Sequence, residues 1–356
     1  MTTHGGEMRS AGRPERADPA HFLQDARAFQ AELGKVIVGQ ERVIKLLTIA
    51  VFAQGHVLLE GDVGVGKTTL LKAAARGLGG AYERVEGTID LMPTDMIYHT
   101  YLDEDGRPRV EPGPVLRHGE DLSIFFFNEI NRARPQVHAL LLRLMAERSL
   151  SAFNREYTLP YMLVFADRNR IEREETFELP AAARDRFFME INIEAPEEPA
   201  LRRALAFDPR FHDTNALISE VAEGIVDHLA IPEISRSIQT GISASEAIQR
   251  YVVDLWAAAR EPAGIGIEID GIDTSRLVQG GPSPRGIANL VRAARVAAWL
   301  DGRDAVLPED VREVFYEVMA HRIFFEPVYE LKRDTIAATL CGSLFEAVPV
   351  PRDPAA

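Results

Sequence analysis

The sequence predicts an α/β fold in which a five-stranded parallel sheet is covered by helices on both faces and followed by a small all-helical unit. Three observations predict it: short apolar runs alternate with helical patterns through the N-terminal half, a glycine-rich turn joins the first run to a helix, and the strand pattern stops after Pro196. Five runs have strand length, namely HVLLE (56–60), YERVE (82–86), IFFFN (124–128), MLVFA (162–166) and MEINI (189–193).

Taken in order, the first twenty residues mix Gly, Pro and charge without periodicity and read as a flexible tail, 1–20. Asp18-Pro19 opens a helix expected to run through Leu33, since proline suits the first helical turn. The α/β core is assigned to 21–198. Within it the helix PQVHALLLRLMAERS starts at Pro135 and places Val137, Leu140, Leu141 and Leu144 on one packing face. Beyond Pro196 come helical patterns such as IANLVRAARVAAWL (287–300) and the stretch after Leu307, so 199–346 is assigned to a helical lid and 347–356 to a flexible tail.

The 356 residues carry 46% hydrophobic and 26% charged side chains, within the range of globular proteins, and so suffice for two packed units. A formal charge of -14 opposes a nonspecific grip on phosphate backbones, and no nucleic-acid role is expected. Cys341 is the single cysteine, and it reads as a small buried hydrophobe. The opening MTTHGGEMRSAGRPERADPA has no apolar stretch, and no apolar run approaches the roughly 18 residues that span a bilayer, so a cytoplasmic location and no membrane segment are expected.

The strongest chemical signal is Gly61-Asp62-Val63-Gly64-Val65-Gly66-Lys67-Thr68, followed by Thr69, between strand HVLLE and helix TTLLKAAARGL. Glycines let the backbone wrap phosphates with its N–H groups inward, Lys67 reaches the β and γ phosphates, and the Thr68 hydroxyl can ligate magnesium. ATP with Mg2+ is therefore the expected ligand. Strand IFFFN then ends on Asn128 and Glu129, the place for a Walker B pair in which an aspartate holds magnesium and a glutamate activates water. Asn128 keeps an oxygen acceptor for a magnesium-bound water but lacks the negative charge, so hydrolysis is expected to be slowed, with Glu129 as base. Asn169, after strand MLVFA, offers an amide within reach of a γ-phosphate. Arg184 and Arg186 in AAARDRFF can each project toward a neighbouring subunit's phosphate, or form a solvated basic patch. Arg285 opens a lid helix with Ser283 as cap and Pro284 at N1, from where it can face the nucleotide.

Together VIVGQE, GHVLLEGDVGVGKTTL, FFNEINRARPQVHALLLRLMAERSLS, ETFELPAAARDRF, GPSPRG and VLPEDVREV…HRI resemble the MoxR family of AAA+ ATPases over roughly residues 35–325. The resemblance implies the AAA+ fold and a ring, here a hexamer, with nucleotide sites between subunits. It matches Asn169 to sensor 1, Arg186 to the arginine finger, with Arg184 as second candidate, and Arg285 to sensor 2. The segment IDLMPTDMIYHTYLDEDGRPRVEPGPVLR matches the helix-2 insert, and SAFNREYTLP the hairpin before sensor 1; both would face the pore or a partner. It further implies a chaperone that matures or activates a client metalloenzyme beside a von Willebrand factor A (VWA) domain protein, methanol dehydrogenase being the namesake case. Three departures stand out: Asn128 in the aspartate slot, ADRNR where a threonine-glutamine-asparagine-proline run is usual, and a long stretch over 232–280. A magnesium-chelatase-like motor subunit, which shares the insert, and a hydrolysis-impaired ATP-binding scaffold are the competing readings. A DNA remodeller of the same superfamily fits the fold but not the acidic balance.

Overall fold

The structure is a computed structural model and describes residues 19–168, 177 and 179–351. Its five-stranded sheet consists of β1 (Val57–Glu60), β2 (Ala81–Glu86), β3 (Leu122–Asn128), β4 (Leu163–Arg168) and β5 (Met189–Asn192). The five apolar runs form these strands, all neighbours are parallel, and the spatial order is β2-β3-β4-β1-β5. Every residue of β1 and β3 is buried, as continuous apolar strands in a parallel sheet require.

The side-chain period of two sorts the strand residues between two cores. Val57, Leu59, Ile124, Phe126, Leu163 and Phe165 face one of them, while Leu58, Phe125, Phe127, Val164 and Ala166 face the other. The second core is closed by helix Pro135–Glu147, whose Val137, Leu141 and Leu144 are buried. The first is covered by helices Pro19–Val36, Glu41–Phe52 and Lys67–Leu78, and it continues without a break into the lid through Leu290, Val296, Val311 and Phe315.

The lid is built on helices Ile231–Gly241, Glu246–Arg260, Pro284–Leu300, Pro308–Met319 and Arg333–Ala347. It is not wholly helical: Val278–Gly280 pairs antiparallel with Phe324–Phe325, a ladder too short to show a period in sequence. The Phe52 and Trp299 rings meet at 5.1 Å across the boundary. Arg27 on the first helix donates to the Leu300 carbonyl at 2.9 Å. Packing persists past the last helix, where Val348 is buried within the stretch read as a tail.

Two hairpins leave the core. Tyr98–Leu102 pairs with Pro108–Pro112, its turn fastened by Asp103 Oδ1 accepting from the Asp105 and Arg107 backbone N–H groups at 3.1 and 2.9 Å. Ser149–Ala152 pairs with Arg155–Thr158 through a two-residue turn, Phe153 and Asn154, both at positive φ as such tight turns require. Tyr98 and Phe153 bring the hairpins together, with ring centroids 5.2 Å apart. Among the described residues no helix is long and apolar enough to cross a membrane.

Candidate nucleotide site

The sheet order decides which residues meet. Because β4 and β5 flank β1, the chain reverses its winding direction at the C-terminal end of β1, where open α/β sheets form a crevice. The loop Gly61–Gly66 leaves β1 at that point and runs into helix Lys67–Leu78. Gly64 and Gly66 have φ of 84° and 93°, in the left-handed region that glycine enters at no steric cost. A Cβ on Gly61 would lie 2.3 Å from the Ile193 carbonyl oxygen, so the loop packs flat against the end of β5. Gln40, from the segment VIVGQE, donates its amide to the Val65 and Glu194 carbonyls at 3.4 and 3.2 Å and ties the loop to the same strand end.

Asp62, Val63 and Gly64 are exposed on the loop, Val65, Gly66, Thr68 and Thr69 are half-buried, and Lys67 is buried. The Lys67 ammonium donates to the Gly61 carbonyl at 2.9 Å and pairs with Asp167 Oδ2 at 2.7 Å. Asp167 lies near the end of β4 and is 1% exposed. Its other oxygen, Oδ1, accepts from the Glu129 backbone N–H at 2.5 Å. This carboxylate therefore joins the phosphate loop to the Walker B position, yet motif spacing did not single it out. The signal that could have found it is the acid in ADRNR, a departure from the run that the family resemblance implies there.

Asn128 ends β3 and is buried; its Nδ2 donates to Glu86 Oε1 at 2.5 Å, and its carbonyl accepts from Gly87 N–H at 2.7 Å. Its donor end thus faces the β2 side of the crevice. Glu129 follows at φ 54° and ψ 52°, a left-handed conformation that is uncommon for a residue with a side chain and that clusters at functional sites. Its Oε2 pairs with Arg132 at 3.0 Å. Asn169 lies outside the described residues.

The arginines separate. Arg184 stacks over Phe324 of its own lid, with 5.1 Å from guanidinium carbon to ring centroid, and burial pushes its pKa down to about 10. It is held within its own chain. Arg186 bonds only locally among the described residues, donating to the Ala182 carbonyl at 2.8 Å, and its guanidinium reaches the surface. Arg285 sits at the start of helix Pro284–Leu300 with the Ser283 cap and Pro284 in place, and it pairs with Asp185 Oδ2 at 2.8 Å. The same Asp185 accepts from Ser283 Oγ at 2.7 Å and from Arg322 at 3.2 Å. Cys341 is buried, and burial pushes its thiol up to about 12, which leaves it an inert hydrophobe.

The donor set suits a magnesium nucleotide: a loop whose backbone only glycine can follow, a lysine at its base, hydroxyls of Thr68 and Thr69 at the first helical turn, and buried carboxylate at the adjoining strand end.

Comparison with known proteins agrees with this geometry. Residues 56–189 match the model of the ATPase family associated with various cellular activities (AAA), and residues 272–339 match the AAA lid domain. The chain is 67% identical over 339 residues to Protein MoxR of Methylorubrum extorquens, covering 95% of this chain and 99% of that protein. It is 34% identical over 325 residues to Chaperone MoxR1 of Mycobacterium tuberculosis, covering 90% and 81% of the two chains. The crystal structure of a candidate ATPase from Cytophaga hutchinsonii superposes with a TM-score of 0.80 at 29% identity, covering 94% of this chain and 97% of that one. By sequence, sheet order and lid, the chain belongs to the MoxR family of AAA ATPases.

Proposed function

We propose that this protein hydrolyses ATP with magnesium as one subunit of a homo-oligomeric ring, with Glu129 as the base and Arg186 completing a neighbour's site. The observation that carries the reading is the convergence of Lys67, Asp167 and Glu129 through direct contacts at one crevice. Magnesium would neutralise developing charge on the phosphates; Lys67 would bind them, Thr68 and Asn128 would face the cation, and Glu129 would orient and deprotonate the attacking water. Asn169, matched to sensor 1 by resemblance, would hold the γ-phosphate, and Arg285 would reach the nucleotide on releasing Asp185.

The output would be maturation of a client metalloenzyme in the cytoplasm beside a VWA-domain protein, with methanol dehydrogenase the first client to test. Two features support a partner-facing surface: the hairpins at 98–112 and 149–158 adjoin each other, and they expose Tyr101, Leu102, Val110 and Phe153. A relative bearing the name Chaperone MoxR1 supports the chaperone reading.

Steady-state phosphate release tests the core of this proposal. Turnover is expected to rise with protein concentration, to vanish in Lys67→Ala together with nucleotide binding, and to vanish in Glu129→Gln while binding persists. Unchanged turnover in Glu129→Gln would refute its role. A hydrolysis-impaired scaffold is the second reading, favoured by the amide at 128; tight ATP binding with no phosphate release by the wild type at any concentration would establish it. Stimulation by a porphyrin would point instead to a chelatase motor, and ATP-dependent copurification of a VWA-domain protein would support the maturation role.

A further inference from the structure

The buried acid beside the phosphate loop stands one strand away from the Walker B position. A phosphate loop of this kind needs a carboxylate opposite its hydroxyl-bearing helix start, yet the residue ending β3 is the neutral Asn128, with its amide committed to Glu86. The acid stands on the adjacent strand. Asp167 follows Ala166, the partner of Phe127, so it lies beside Asn128; on its other side it pairs with Leu59, two residues before Gly61.

We infer that Asp167, rather than the residue at 128, is the carboxylate that serves magnesium at this nucleotide site. The inference deepens the ATPase reading above and rests on it. Three observations carry it. Asp167 is almost fully enclosed, and the partners it has are the two groups that frame the reaction: the Lys67 ammonium and the backbone N–H of Glu129. Lys67 is also the side chain that must turn to the β and γ phosphates, and as it turns Oδ2 would be left as a buried charge without its counter-ion. A charge in that position requires another cation, and magnesium arrives with the nucleotide. Finally, the site does not go without an acid, because the carboxylate lacking at 128 stands beside it at 167 on the adjacent strand.

The alternative is that Asp167 only holds Lys67 in place. The two roles predict opposite responses to nucleotide without metal. Affinity for a fluorescent ATP analogue would be measured in Mg2+ and in EDTA, with Mn2+ binding followed by electron paramagnetic resonance, for wild type, Lys67→Ala, Asp167→Asn and the double variant Asn128→Asp/Asp167→Asn. Expected for Asp167→Asn is an affinity in EDTA no weaker than wild type, since Lys67 is released toward the phosphates. Its gain from Mg2+ should disappear, and Mn2+ affinity should fall about tenfold or more. The double variant should recover both.

A folded Asp167→Asn protein that keeps the wild-type gain from Mg2+, or that loses affinity equally in Mg2+ and EDTA, would overturn the inference and leave the ATPase reading standing. Wild type that binds the analogue no better than Lys67→Ala would instead overturn the ATPase reading, and this inference with it. Should Asp167→Asn lose its native circular dichroism, the double variant decides, because it retains the site's charge: wild-type Mn2+ affinity supports the inference and its loss in a folded protein overturns it.

Discussion

At Gly61 the loop tolerates no side chain, because the Ile193 carbonyl oxygen occupies the space 2.3 Å from where a Cβ would be. Gly61→Ala is therefore expected to lift the loop off β5, lowering melting stability by roughly 1–3 kcal/mol and ATP affinity at least tenfold, as calorimetry and titration would read. Glu129 presents the reverse case. Its left-handed backbone costs roughly 1–2 kcal/mol in a residue with a side chain. Glu129→Gly should therefore abolish turnover without lowering the melting temperature, whereas a purely structural Glu129–Arg132 pair predicts a less stable protein. Lys67 and Glu129 were legible as crevice residues because each stands in a motif of recognisable spacing. Asp167 was not, since its place between them depends on β4 lying between β3 and β1, and that order is a property of the assembled sheet.

Between elements, Asp185 fastens the core to the lid. It receives Ser283, Arg285 and the fully buried Arg322, whose guanidinium also donates to the Asp185, Phe187, Phe188 and Val318 carbonyls. Asp185→Asn leaves Arg322 without its charge partner in a dry environment, which is expected to cost about 3 kcal/mol in denaturant unfolding. Arg285→Ala, removing an exposed partner of the same acid, should cost no more than about 1 kcal/mol. The sequence placed Arg285 correctly at the head of its helix, because Ser-Pro is a local capping signal; its pairing with Asp185 is a contact across 100 residues, which local pattern does not report. The same distinction holds for whole elements. The five sheet strands were legible from buried apolar runs, while the hairpin at 98–112 is largely exposed and shows no apolar alternation, so only its DEDG turn marks it.

At the scale of the molecule, acid should unfold this protein earlier than its carboxylates alone would require. His56 is buried, accepts from the Val164 N–H at Nδ1 and donates to the Met145 carbonyl from Nε2, and burial holds its pKa down at about 3 against an ordinary 6.5. His321 is likewise held well below its ordinary value by burial and by the neighbouring Arg322. Below pH 6.5 the unfolded chain takes up protons at these two positions and the native chain does not, so stability falls as pH drops from there toward 3. For His56 the slope approaches about 1.4 kcal/mol per pH unit once the pH is well below 6.5, and His321 acts in the same direction. The melting temperature should fall measurably between pH 7 and pH 5, and His56→Gln should lessen that slope. A pH-independent melt over this range would show that neither imidazole stays neutral. The apolar core that passes from the sheet through the first helices into the lid has a mechanical corollary. A chain knitted in this way has no slack hinge at its middle and should melt in one calorimetric transition, and a push at one end would arrive at the other as the motion of a stiff lever.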